Sequence, residues 1–218
     1  ETCPQYLFLD LSLLALRHRI KHLPVEQIGR DHVVALLREA QRSGVKKFIY
    51  VSVFGVDSME YLKVAEAKLQ FERELRASGL SFTVVYPNGF FSDMADYLEM
   101  ARKGRIFLVG HGEYRINPIH GADLAEICVD ALDRDVEEIH VGGPDIMSHN
   151  DIARLACDAI GKPHKLVHIP EIIGRIFLQM LRAGTPVRIY GPLEFFMTVL
   201  TRDLIAPQVG SRHLWGYF

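Results

Sequence analysis

Val45-Lys-Lys-Phe-Ile-Tyr-Val-Ser-Val53 is the stretch whose reading decides the fold. Its centre, Phe48 to Val51, is β-branched and aromatic and runs without polar alternation. A strand with one wet face alternates apolar and polar residues. A strand covered on both faces, as in a parallel sheet between helices, reads as a continuous apolar run. Upstream, Val33, Val34, Leu37 and Ala40 recur at helical spacing. Asp31 is placed to cap the start of that helix and Gly44 to end it at the C′ position.

The alternation continues downstream. Residues 59–77 predict a helix stopped by Gly79, and 81–86 a strand stopped by Pro87. A short helix over 92–102, a strand over 105–109 and a turn at His111-Gly112 follow. Asp123 is placed to cap a helix running to about Leu132, and 138–141 predict a strand before Gly142-Gly143-Pro144. Helix and strand in this rhythm predict an α/β protein with a mainly parallel sheet flanked by helices. Ser148 then opens a helix to about Ile160, 165–169 read as a short strand, and helices are expected over 171–183 and 193–204. The domain reading is residues 1–30 unassigned, 31–145 a sheet lobe, and 146–218 a small, mostly helical cap.

The chain of 218 residues is 49% hydrophobic and 24% charged with a net charge of −2. That is the composition of a globular protein able to build its own core. It offers no basic field for nucleic acid or anionic lipid. The three cysteines are far apart and form no Cys-x-x-Cys pair, so no zinc site is expected. Cys128 and Cys157 sit among apolar helical residues and are expected to be buried thiols in a reducing cytoplasm. The histidines show no helical pair with a neighbouring carboxylate, so no metal is expected. No Gly-x-Ser-x-Gly elbow occurs. The apolar run from Tyr6 to Leu16 is too short for a membrane span and is broken by Asp10. No basic segment precedes it and no cleavage site follows it, unlike a secretory signal. The chain begins with Glu1 rather than Met, as a fragment or a processed chain does.

Two residues stand out for chemistry. Ser52 ends the central strand, and open α/β sheets bind ligands beyond the carboxyl ends of their strands. Its hydroxyl is placed to donate to a substrate carbonyl, or simply to cap the strand or a loop amide. Lys68 shares a helical face with Tyr61, Val64, Phe71 and Leu75, whereas Lys63 and Glu72 are read as pointing elsewhere. A lysine in an apolar stripe either snorkels to the rim or reaches a partner in the cleft.

The run Val45 to Gly55, then Ala67-Lys68 with Phe71-Glu72 and Ser78-Gly79-Leu80, then Thr83 to Phe90, resembles the atypical short-chain dehydrogenase/reductase superfamily. Within it the sequence is most similar to the nitrogen-metabolite-repressor-like (NmrA-like) NAD(P)-binding branch. The likeness continues through Asn117 to Ala125 and Val141 to Pro144, covering residues 31–163, and Thr201-Arg202-Asp203 adds to it. The resemblance implies a Rossmann-like sheet, NAD or NADP as cofactor, and hydride transfer to or from a small organic substrate. It implies that Ser52 orients the acceptor and that Lys68 contacts the nicotinamide ribose. Tyr86, Pro87, Asn88, Gly89 and Phe90 match the segment beside the nicotinamide, with Tyr86 where many relatives carry arginine. Asp123 matches an aspartate expected to cap a helix.

Two departures from the family pattern qualify this. The tyrosine that acts as general acid four residues before the lysine is replaced by Val64. Tyr61 lies about 10 Å along the helix from Lys68 and reads as a core aromatic. In addition, no Gly-x-x-Gly-x-x-Gly run occurs, and residues 1–30 contain only Gly29. They do not read as the first strand, turn, helix and second strand of a phosphate-binding half-site, so the N-terminal strands are expected to be missing. The alternative implied is a non-catalytic NAD(P)-binding sensor or accessory subunit, or a truncated form that binds no cofactor.

Overall fold

The computed structural model describes residues 6–10 and 25–218, with side chains from residue 34 onward. In chain order the elements begin with β1 (Tyr6–Asp10), α1 (Val25–Arg42), β2 (Lys47–Val51), α2 (Lys63–Ala77), β3 (Phe82–Pro87) and α3 (Phe91–Arg102). They continue with β4 (Ile106–Val109), β5 (Arg115–Ile116), α4 (Gly121–Asp130), β6 (Glu138–Val141) and β7 (Met147–Ser148). Last come α5 (His149–Ala159), β8 (Leu166–Ile169), α6 (Glu171–Gly184) and α7 (Val187–Val199). None of the helices among the described residues is long and apolar enough to cross a membrane.

The main sheet has four strands in the order β1-β2-β3-β6. β1 runs parallel to β2, with Tyr6 opposite Lys47 and Asp10 opposite Val51, and β2 runs parallel to β3. The Val84 N–H donates to the Glu137 carbonyl and the Asn88 N–H to the Val141 carbonyl. That constant offset makes the β3–β6 pairing parallel as well. Phe48, Ile49 and Tyr50 are wholly buried, as a strand covered on both faces must be. Each such side chain contributes about 1.5–3 kcal/mol by leaving water, so a charge at Ile49 would break the lobe.

The sheet starts earlier than the sequence reading allowed. Tyr6–Asp10 is a strand beside β2, which corrects the expectation that nothing of the sheet precedes residue 31. An apolar run without alternation has no diagnostic period, so its strand character was not legible.

The described chain forms two compact units. One comprises the residues up to Tyr86 together with Glu126–His140; the other comprises Pro87–Ala125 and Val141–Phe218. In the first unit α1 begins at Val25, so Asp31 lies inside the helix and does not cap it. Gly44 has φ 68° and ends the helix as expected. After β2 the chain turns through Gly55, whose φ of 72° suits only glycine well, into a single 3₁₀ turn at Val56–Met59. Leu62 is still extended, and α2 starts at Lys63. Tyr61 is therefore outside the helix and 65% exposed. The expectation of a core aromatic there is corrected.

In the second unit β4 pairs with β8 in parallel and β5 pairs with β7 antiparallel. Ser148 caps α5 as predicted. Its hydroxyl accepts the Asp151 N–H at 3.1 Å while the Asp151 carboxylate accepts the Ser148 N–H at 3.1 Å, a reciprocal capping box worth about 1 kcal/mol. Helices α3 and α5 meet at the Tyr97 hydroxyl and His149 Nδ1, 2.8 Å apart. Burial holds His149 neutral, pushed down to about 4. Cys128 and Cys157 are buried; Cys3 lies outside the described residues.

Two further expectations are revised in this unit. Helix α7 covers Val187–Val199 and contains Pro192, whereas the sequence reading expects it over 193–204. Asp123 sits in the first turn of α4 rather than before it. It is buried, and its carboxylate accepts the Ser211 N–H at 2.8 Å, the Arg212 N–H at 2.9 Å and the Ser211 hydroxyl at 3.2 Å. It also receives the Arg212 guanidinium. Its role is to fasten the last segment of the chain, not to cap a helix.

Candidate active site

The first unit gathers a polar cluster at the end of β2. The Ser52 N–H donates to the Val85 carbonyl at 2.8 Å, which locks the strand end into the sheet. Its side chain, in a residue 2% exposed, donates to Glu72 Oε1 at 2.5 Å. The other oxygen, Glu72 Oε2, accepts from the Tyr86 hydroxyl at 2.9 Å. One buried carboxylate on α2 thus joins the ends of β2 and β3.

Glu72 was read from the sequence as pointing away, but it is 5% exposed. The signal was available. At about 100° per residue, Glu72 lies about 40° around the helix from Lys68 and between it and Ala65, and both are buried. Glu72 stands no farther around the helix from Lys68 on one side than Val64 does on the other, so the angle alone gives no ground for turning it outward.

Lys68 is buried as expected, and its Nζ lies 5.9 Å from the centroid of the Tyr50 ring, within cation–π range. It precedes Glu72 by about one helical turn. Tyr86 stacks on His140, with ring centroids 4.7 Å apart and 13° between the planes, and Phe54 meets the same imidazole edge-on at 5.8 Å. Burial and the adjacent Glu72 and Glu138 carboxylates push the Tyr86 phenol well above its ordinary value. Tyr86 is therefore a neutral donor to Glu72, unsuited to releasing a proton near neutrality.

A hydroxyl has one proton and two lone pairs. With the Ser52 proton directed at Glu72, the Ser52 oxygen keeps lone pairs to accept with but no proton to donate elsewhere. Glu72 fixes that polarity. Val64, four residues before Lys68, is half-buried and carries no acid.

The rest of the predicted segment belongs to the second unit. Pro87 and Asn88 are buried, and Gly89 has φ 72°, a left-handed conformation that excludes most other residues. Asn88 directs its amide to Asn117 Oδ1 at 2.6 Å and to the Leu204 carbonyl. Asn117 in turn donates to the Gly143 carbonyl at 3.1 Å and the Ala206 carbonyl at 2.9 Å, and accepts the Ala206 N–H at 2.9 Å. The Asn88 amide hydrogens are thus spent inside the protein. No local spacing marks Asn117 as the hub. Gly142 and Gly143 permit the close approach: a Cβ on the first would overlap the Asn117 amide, and on the second the Pro118 carbonyl oxygen.

A family model described as NAD(P)H-binding matches residues 13–135. An NAD(P)H azoreductase of Xenophilus azovorans is 26% identical over 138 residues, 62% of this chain and 48% of that protein. A photosystem II assembly factor, Ycf39, of Cyanidium caldarium is 30% identical over 142 residues, 60% of this chain and 44% of that one. The chain thus spans about half the length of these relatives or less. Among solved structures, a Citrobacter triphenylmethane reductase complexed with NADP(H) aligns with a TM-score of 0.65 at 13% identity, over 95% of this chain and 68% of that one. An Escherichia coli quinone oxidoreductase complexed with NADPH gives a TM-score of 0.61 at 17% identity, over 77% of this chain and 59% of that one. These likenesses to solved structures establish a shared α/β fold.

Proposed function

We propose, since the chain belongs to the NAD(P)H-binding family, that it binds NAD or NADP and passes a hydride between the nicotinamide and a small organic acceptor. The observation that carries this reading is the buried Ser52–Glu72–Tyr86 cluster, with Lys68 one turn earlier on the same helix face. A buried carboxylate that fixes a strand-end serine beside a buried lysine is more than packing requires. Lys68 supplies the cation for the ribose hydroxyls. Ser52, its proton held by Glu72, accepts a hydrogen bond from a ligand hydroxyl or amide. Tyr86, Pro87, Asn88, Gly89 and Phe90 form the wall beside the nicotinamide. The unit that carries β1, β2 and most of β3 binds the cofactor, and the C-terminal residues 146–218 select the substrate. Bound cofactor supplies the hydride; this chain's residues bind and orient. The buried thiols Cys128 and Cys157 suit a reducing compartment such as the cytoplasm.

The azoreductase among the relatives makes an azo compound the first acceptor to try. Oxidation of NADPH or NADH, followed by nicotinamide absorbance, is expected to depend on such an acceptor. Lys68→Ala is expected to weaken cofactor binding about 10- to 100-fold, the loss of a hydrogen bond to a charged group. Unchanged affinity would remove Lys68 from the site. Cofactor binding without turnover of any acceptor would favour a second reading, a non-catalytic NAD(P)-binding accessory protein. One observation supports that reading: Val64 stands where the general acid is expected. The relatives named as photosystem II assembly factors accord with it.

A further inference from the structure

We infer that this chain self-associates through the outer face of α6, with a second copy of the same helix as the partner. Helix α6 has no buried residue. Ile172, Ile173, Ile176, Phe177 and Met180 are each between 51% and 69% exposed. At about 100° per residue these five lie within an arc of about 140°, and no charged residue falls inside that arc. The opposite side carries the helix's packing: a Cβ on Gly174 would overlap Met197 of α7 and touch Val109. The exposed stripe is therefore not the face that holds α6 to its own unit.

Area and charge point to the occupant. At about 200 Å² for a large side chain, the exposed fractions leave about 600 Å² of apolar surface on one copy. That is at the upper limit of what monomers leave uncovered. A twofold pairing of the same stripe buries up to about 1,200 Å², the lower end of the range of specific protein interfaces. A twofold contact needs a self-complementary patch, and a stripe with no charge in it sets no like charges against each other. A lipid surface would instead call for available cations flanking the stripe. Both arginines of α6 are already engaged, Arg175 by Glu171 at 3.1 Å and Arg182 by Glu194.

Sedimentation equilibrium of the intact chain tests this. The wild type is expected to approach twice the monomer mass at micromolar concentration. Ile176→Glu and, separately, Met180→Lys are expected to raise the dissociation constant at least tenfold. Both sites are exposed, so circular dichroism and the melting profile of the monomer should stay unchanged. A wild type that remains monomeric at the highest concentration reached would overturn the proposal. So would a dimer that neither substitution weakens. Binding of a monomeric wild type to vesicles of mixed neutral and anionic lipid would also overturn it, assigning the face to membrane instead.

Discussion

Glu72→Ala is expected to lower the stability of the chain by about 4 kcal/mol. The substitution removes the acceptor of two buried donors, the Ser52 hydroxyl at 2.5 Å and the Tyr86 hydroxyl at 2.9 Å. A buried donor left without a partner costs about 1–3 kcal/mol, because it lost its water on folding and receives nothing in return. Glu72→Gln keeps the volume but replaces one acceptor oxygen with an amide nitrogen, so one hydroxyl can only accept there and its own proton loses its acceptor. Its expected cost is about half as large. Tyr86→Phe should be milder still, since it removes a donor and leaves Glu72 bonded to Ser52. Urea unfolding of the three variants, with an unchanged denaturant slope, checks the ranking. A Glu72→Ala protein within about 1 kcal/mol of wild type would mean that the carboxylate does not tie the two strands.

The second large effect is at the other end of the chain. Asp123→Ala is expected to cost about 3 kcal/mol, since it leaves the Ser211 and Arg212 N–H groups without their acceptor and breaks a partly buried ion pair. For a chain of this size that is a fall of about 6–12 °C in melting temperature. The loss should be local first. Trypsin should cut after Arg212 much faster in the variant, because the segment from 210 onward is no longer fastened to α4.

The pH dependence follows from the same contacts. Burial alone would raise the Asp123 carboxyl, but the backbone and side-chain hydrogen bonds from Arg212 and Ser211 outweigh it and hold the group below its ordinary value of 3.8. The folded state thus favours the ionised form. The stabilisation is complete above the ordinary value and is lost as pH falls through the lower folded one. Asp123→Ala should remove that part of the acid transition. An unchanged proteolysis rate and acid profile would contradict the assignment.

Much of the fold was legible because its signals are local. The apolar run Phe48–Val51 has no polar alternation, so burial on both faces follows from the sequence, and it is observed. Ser148 and Asp151 stand three apart before an apolar period, which is enough to place a cap. Lys68 was rightly put in the buried stripe. The misses share a cause, the reach of one local rule beyond its element. Tyr61 reads as helical by spacing although the helix starts two residues later, and Glu72 reads as outward although it lies only about 40° around the helix from Lys68. Asp123 was read as a cap because caps are local, whereas its true partners lie at 211 and 212, and long-range partners leave no trace in spacing. Asn117 was missed for the same reason: its partners near residues 88, 143 and 206 are brought together only by the fold. The strand Tyr6–Asp10 was hidden in an apolar run without a period.

The most direct test of the central claim is the melting temperature of the intact chain titrated with NADPH and, separately, NADH. A ligand that binds only the folded state stabilises it by about 2.7 kcal/mol at a hundred times its dissociation constant, about 5–10 °C for a chain of this length. A saturable rise is expected with one or both cofactors, shifted to higher concentration by Lys68→Ala. No rise with either cofactor up to millimolar concentration would contradict it.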